Sequence, residues 1–105
     1  MNWYEKELEW LENEAVTVQR KYPNAKSLPV YLEVLSHRAE LIREELRRTE
    51  ELIASIPDLR MREIACYRLL EGLTYREIAE MMHLNSRYVQ RLWRPYGKES
   101  TEKRR

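Results

Sequence analysis

Leu73-Thr74-Tyr75-Arg76-Glu77-Ile78-Ala79-Glu80-Met81-Met82-His83-Leu84-Asn85-Ser86-Arg87-Tyr88-Val89-Gln90-Arg91-Leu92-Trp93-Arg94 is the stretch that decides the fold. Thr74 stands three residues before Glu77, the spacing of a capping box, so a helix starts at Tyr75. Leu73 and Ile78 flank that start as a hydrophobic staple. The signal then recurs: Asn85 is a second cap, with Leu84 before it and Val89 at the staple position. The interval between caps holds about two helical turns and a short reversal. The stretch therefore reads as a helix, a tight turn and a second helix.

The apolar positions set the phase of both helices. Ile78, Ala79 and Met82 fall on one side of the first, Val89 and Leu92 on one side of the second, and Leu84 closes the turn. Ala79 is small enough to let the two helices cross closely. The outward face of the second helix then carries Ser86, Arg87, Gln90, Arg91 and Arg94, all donors and with no carboxylate among them. A DNA recognition helix needs such a face, since arginine reads guanine edges bidentately, glutamine reads adenine, and both hold phosphates.

The rest of the chain reads as all-α. A helix is expected from residue 2 to about 20, with a stripe of Trp3, Tyr4, Leu8, Leu11, Ala15 and Val18. Trp10 either extends that stripe or lies exposed. Pro23 and Asn24 mark a connector. A long helix follows, from Ser27 or Leu28 to Ala54 or Ser55. Its residues Leu28, Leu32, Leu35, Ala39, Ile42, Leu46, Thr49, Ile53 and Ile56 recur at steps of three and four, a heptad pattern. That stripe suits either an intrachain hairpin with the first helix or a coiled coil between two copies, so a homodimer through residues 28–56 is open at this point. Pro57 and Asp58 open a third helix, Leu59 to Glu71, with Leu59, Ile64, Ala65, Cys66, Leu69 and Leu70 facing inward, and Gly72 ends it. Pro95 and Gly97 are expected to stop the recognition helix. The expected organisation is a helical hairpin or coiled-coil segment over 1–56, a three-helix DNA-binding unit over 57–97 and a basic tail over 98–105.

Charge is distributed rather than accumulated. The chain has 105 residues and a formal net charge of +1. Residues 1–56 carry eight Lys/Arg against eleven Asp/Glu, while residues 57–105 carry eleven against seven. The basic half is thus the half with the paired caps.

Residues Leu69-Leu70-Glu71-Gly72-Leu73-Thr74-Tyr75-Arg76-Glu77-Ile78-Ala79-Glu80 and Leu84-Asn85-Ser86-Arg87-Tyr88-Val89 resemble region 4 of bacterial sigma factors. They are more similar still to small phage and prophage transcriptional regulators of the autolysin-regulator and late-gene activator type, which join such a module to a helical N-terminal half. The likeness spans roughly residues 56–97. Glu77, Ile78 and Ala79 match the first-helix signature of that family, and Asn85 takes the place of a capping serine. Ser86, Arg87, Gln90, Arg91 and Arg94 fall at its DNA-facing positions. The turn of the family commonly carries glycine where this chain has His83, a residue that enters the left-handed region at modest cost. The resemblance implies reading of a promoter element and contact with RNA polymerase. The chain carries no counterpart of sigma region 2, so the implied role is an activator, a repressor or a sigma-like accessory protein rather than a promoter-melting factor.

The expected partner is double-stranded DNA. Ser86, Arg87, Gln90 and Arg91 are the base-reading candidates, and Arg60, Arg76, Tyr88, Arg94 and Lys98 the phosphate candidates. Two further classes remain open: a DNA-packaging protein of the terminase small-subunit type, and a helical protein-interaction module that does not bind DNA. No metal or cofactor is expected, because His37, His83 and Cys66 share no ligand spacing and no Gly-rich phosphate loop exists. Nor is an enzyme, for want of a catalytic constellation. A single cysteine forms no intrachain disulfide, which suits the cytoplasm. No signal peptide and no apolar run of the ~20 residues that span a bilayer are read, so no membrane partner is expected.

Overall fold

In the computed structural model, which describes residues 2–104 with side chains through Tyr96, the protein is all-α. The helices are α1 (Trp3–Lys21), α2 (Leu28–Ala54), α3 (Leu59–Ala65), α4 (Tyr75–Met82) and α5 (Ser86–Arg104). The chain forms two compact units, residues 1–50 and 51–105.

The first unit is a helical hairpin. Asn2 caps α1 by accepting the Glu5 N–H at 2.9 Å. Along α1, Tyr4 and Leu11 are buried, as is Leu35 of α2, and Leu11 and Leu35 line the same groove between the two helices. The Tyr4 hydroxyl reaches Glu45 Oε1 at 3.4 Å and Thr49 Oγ1 at 3.3 Å. The Tyr31 hydroxyl donates to Glu14 at 3.0 Å, and Arg38 lies 3.9 Å from Glu7. Leu35 and its heptad neighbours in this unit therefore face α1 of the same chain. Trp3 does not join the stripe. It stands half exposed and meets Tyr4 edge-on, with ring centroids 5.0 Å apart, because the next residue at 100° per step takes the inward direction. Trp10 is likewise exposed. Between α1 and α2 an open groove of about 310 Å³ is lined by residues that include Leu8, Ala15, Leu32 and Ala39.

The second unit has a closed core. Ile53 and Ile56 from the end of α2 and just beyond it meet Met61, Ile64, Ala65, Leu69, Ile78, Ala79, Val89 and Trp93. Asp58 caps α3 by accepting the Met61 N–H at 2.9 Å. Leu59, expected inward, is 75% exposed, and Met61 takes the inward place. The cap fixes the phase of the first turn, and that phase turns residue 59 to solvent. α3 does not run uniformly to Glu71. Its last turn, Cys66–Leu70, winds as a π-helix closed by Glu71 N–H to Cys66 O at 3.2 Å. Gly72 then takes φ 70°, and Leu73 N–H returns to Tyr67 O at 3.0 Å. The wider turn brings Cys66, Tyr67 and Leu70 against the core alongside Leu69.

Candidate nucleic-acid interface

The capping box is present in full. Thr74 Oγ1 accepts the Glu77 N–H at 3.2 Å, and Glu77 Oε1 accepts the Thr74 N–H at 2.9 Å. Those bonds hold the Glu77 carboxyl below the usual carboxylate range, the backbone N–H of Thr74 first. α4 ends at His83, which adopts φ 56°. Leu84 N–H returns to Ala79 O at 2.8 Å and His83 N–H to Glu80 O at 3.4 Å, a Schellman closure around a left-handed residue. Asn85 then caps α5, its Oδ1 accepting the Arg87 N–H at 2.8 Å.

This turn fixes the direction in which α5 leaves, and its buried residues fix its rotation. Val89 and Trp93, one turn apart, are wholly buried. Ile78 and Ala79 of α4 are buried in the same core, with Met82, Leu84 and Leu92 packed at its edge. The predicted motif core thus assembles as one cluster. Away from that side of α5, Arg87, Gln90, Arg91 and Arg94 are exposed, as expected, while Ser86 stands in phase with Val89 and Trp93 and is exposed in the first turn. No Asp or Glu occurs from Ser86 to Tyr96. The four base-reading candidates and Arg94 therefore share one solvent-facing segment.

The phosphate candidates divide. Arg60, in the first turn of α3, donates from Nη1 to the Tyr88 hydroxyl at 3.5 Å, so these two meet beside the start of α5. Arg76 is exposed on α4 and lies 3.8 Å from Glu80, a pair at i,i+4 that shares its charge. Lys98 lies outside the residues whose side chains are described. Two arginines not singled out in the sequence are structural. Arg62 Nε donates to Ile56 O at 2.8 Å and ties the connector after α2. Arg68 donates to Leu73 O at 2.9 Å, and its guanidinium lies over the Tyr75 ring, 4.6 Å from the centroid. Arg62 reaches back across Pro57 and Arg68 forward across Gly72, and neither contact has a periodic sequence signal.

The helix expected to end at Pro95 does not stop there. α5 continues through it to Arg104. Proline withholds the hydrogen bond owed to Arg91 O but keeps a helical φ. Tyr96 stacks on Trp93 across it, centroids 6.3 Å apart, which holds the following turn in helical register.

Other chemistry is sparse. Among the described residues no group of three His, Cys, Asp or Glu side chains could hold a metal ion. Burial, with help from Glu63, pushes the Cys66 thiol up, which keeps it protonated and a poor nucleophile. No helix among the described residues is long and apolar enough to cross a membrane. The class defined here is an all-α helical bundle consistent with a helix-turn-helix type of regulatory fold. No protein family, curated protein or solved structure matches the chain.

Proposed function

We propose that the second unit is a sigma region 4-like helix-turn-helix domain that binds double-stranded DNA in a sequence-specific way, as part of a phage or prophage type of transcriptional regulator. The observation that carries this reading is the acid-free face of α5. Arg87, Gln90, Arg91 and Arg94 project from a helix whose other side is locked by Val89 and Trp93. A helix so held presents its donors in fixed directions, as base reading in a major groove requires. In this reading Arg87, Gln90, Arg91 and Ser86 test base edges. Arg94 and the Arg60–Tyr88 pair set the register on phosphates, with Arg76 as a weaker contributor because Glu80 competes for it. Contact with RNA polymerase belongs to the same proposal and rests on the resemblance alone.

The test is binding of the full chain to duplex DNA as a function of salt. Each phosphate-bound cation contributes about 0.9 to the slope of log affinity against log salt. Arg94→Ala reduces the magnitude of that slope by about one and weakens all sequences alike, whereas Arg87→Ala weakens the preferred sequence most. Absence of binding at 50 mM salt overturns the reading, and binding whose variants leave sequence preference unchanged assigns the domain to non-specific packaging work instead.

A further inference from the structure

α1 covers one side of α2 only. On the side turned away from α1, Val30 (63% exposed), Val34 and Leu41 (58% exposed) lie in line, and Arg48 continues the line one heptad beyond Leu41. The charges around Leu41 are ordered. His37 and Arg38 precede it by four and three residues, and Glu44 and Glu45 follow it by three and four. All four are exposed. Such an arrangement is self-complementary under reversal: a helix lying antiparallel on this face, with residue 41 opposite residue 41, sets basic against acidic on both sides of the centre.

We propose that this face of α2 is a homodimer interface in which two copies of the chain pack antiparallel, with Leu41 on the twofold axis. In that packing Leu41 meets Leu41 of the second copy, Arg38 meets its Glu45, His37 meets its Glu44, and Val34 lies along the aliphatic stem of its Arg48. The occupant is a second copy because the charge order pairs with its own reverse. A parallel pair in register would place Arg38 against His37 and Glu45 against Glu44, which sets acidic against acidic and leaves Arg38 without a carboxylate. Arg38 and Glu45 have capacity for these contacts, whereas Glu44 already holds Arg47 at 3.3 Å and Arg48 at 3.2 Å, both through Oε1, so its contact with His37 of the second copy shares that carboxylate. Arg38 reaches Glu7 only at 3.9 Å, and Glu45 accepts a single long bond, from Tyr4 at 3.4 Å. A guanidinium has five donors and a carboxylate about four acceptor sites. A stable interface covers about 800 Å² per partner. Trp3 and Trp10, both exposed and one heptad apart on α1, add apolar area on the flank marked by Glu7 and Glu14. The interface differs from a coiled coil through the Leu35 stripe, which α1 already occupies. It rests on the first unit alone and does not depend on DNA binding.

The test is the mass of the full chain in solution by sedimentation equilibrium, with helicity followed by circular dichroism. The expected species has twice the 12.9 kDa of one chain. Leu41→Glu gives a monomer of unchanged helicity. Arg38→Glu and Glu45→Arg each weaken the dimer at least tenfold, and the double variant restores it, since the pairing is then reversed on both sides. As a readout independent of stability, Leu41→Cys in a Cys66→Ser background forms a disulfide-linked dimer on mild oxidation, while Ser36→Cys, on the groove side of α2, does not. A monomeric wild-type chain at 100 μM, or failure of both the charge reversal and the residue-41 cross-link, overturns the proposal.

Discussion

Arg68 lies over the ring of Tyr75 at 4.6 Å while its Nη1 donates to Leu73 O at 2.9 Å. One side chain from the π-helical turn therefore fastens both sides of the entry into α4. A hydrogen bond to a charged group contributes about 1.5–3 kcal/mol and an exposed cation–π contact about 0.5–1 kcal/mol. Arg68→Ala is expected to lower stability by about 2 kcal/mol, read from urea denaturation. Arg68→Lys recovers only part of it, because an ammonium does not stack as a planar guanidinium does. Equal stability of the alanine variant and wild type would remove this residue from the account.

The capping box makes the start of α4 sensitive to acid. Glu77 is held below its usual value by the Thr74 N–H, so its contribution is fully present above pH about 4.3 and is lost as pH falls through the lowered value. Thr74→Ala is expected to cost about 1 kcal/mol at pH 7. The deficit relative to wild type shrinks as pH falls through the lowered Glu77 value, because the Thr74 hydroxyl, which the substitution removes, is the second group that favours the carboxylate, and its effect is lost on protonation. Thermal melts at pH 7, 4 and 3 check both points, and a deficit that grows on acidification would contradict them.

His83 carries a left-handed backbone where an L side chain is disfavoured by about 1–2 kcal/mol. Glycine there removes that cost but adds disorder to the unfolded chain. His83→Gly is therefore expected to raise stability by about 0.5–1 kcal/mol, and His83→Val to lower it by more than that. The same melts read both. Destabilisation by glycine would mean that the imidazole makes a contribution of its own.

Much of this architecture was legible in the residues themselves. Thr74–Glu77, Asn85 and Gly72 are short-range signals, and each acts at the position it predicts because caps depend only on neighbouring backbone. Core positions at helical spacing, such as Ile78, Ala79 and Val89, were equally readable apart from where periodicity meets an end, while Trp93 rather than the expected Leu92 is the fully buried partner of Val89. Leu59 sits in the first turn of α3, where the Asp58 cap fixes rotation before hydrophobicity can, so Met61 is buried in its place. Trp3 fails for the same reason at the start of α1. The π-helical turn has no spacing of its own, and Pro95 reads as a stop until Tyr96 is seen stacked on Trp93. On the candidate interface, exposure of Arg87, Gln90, Arg91 and Arg94 followed from helical phase, but the meeting of Arg60 with Tyr88 links two helices and only the fold reveals it.

We propose that α5 reads DNA sequence through Arg87 and Arg91. Selection of bound duplexes from a random library tests it most directly, carried out in parallel with the wild-type chain and with the Arg87→Ala, Arg91→Ala double variant. A short enriched motif is expected for the wild type, with its loss in the variant and circular dichroism unchanged because both side chains are exposed and outside the core. An identical motif selected by the double variant, or no enrichment by the wild type at low salt, would contradict it.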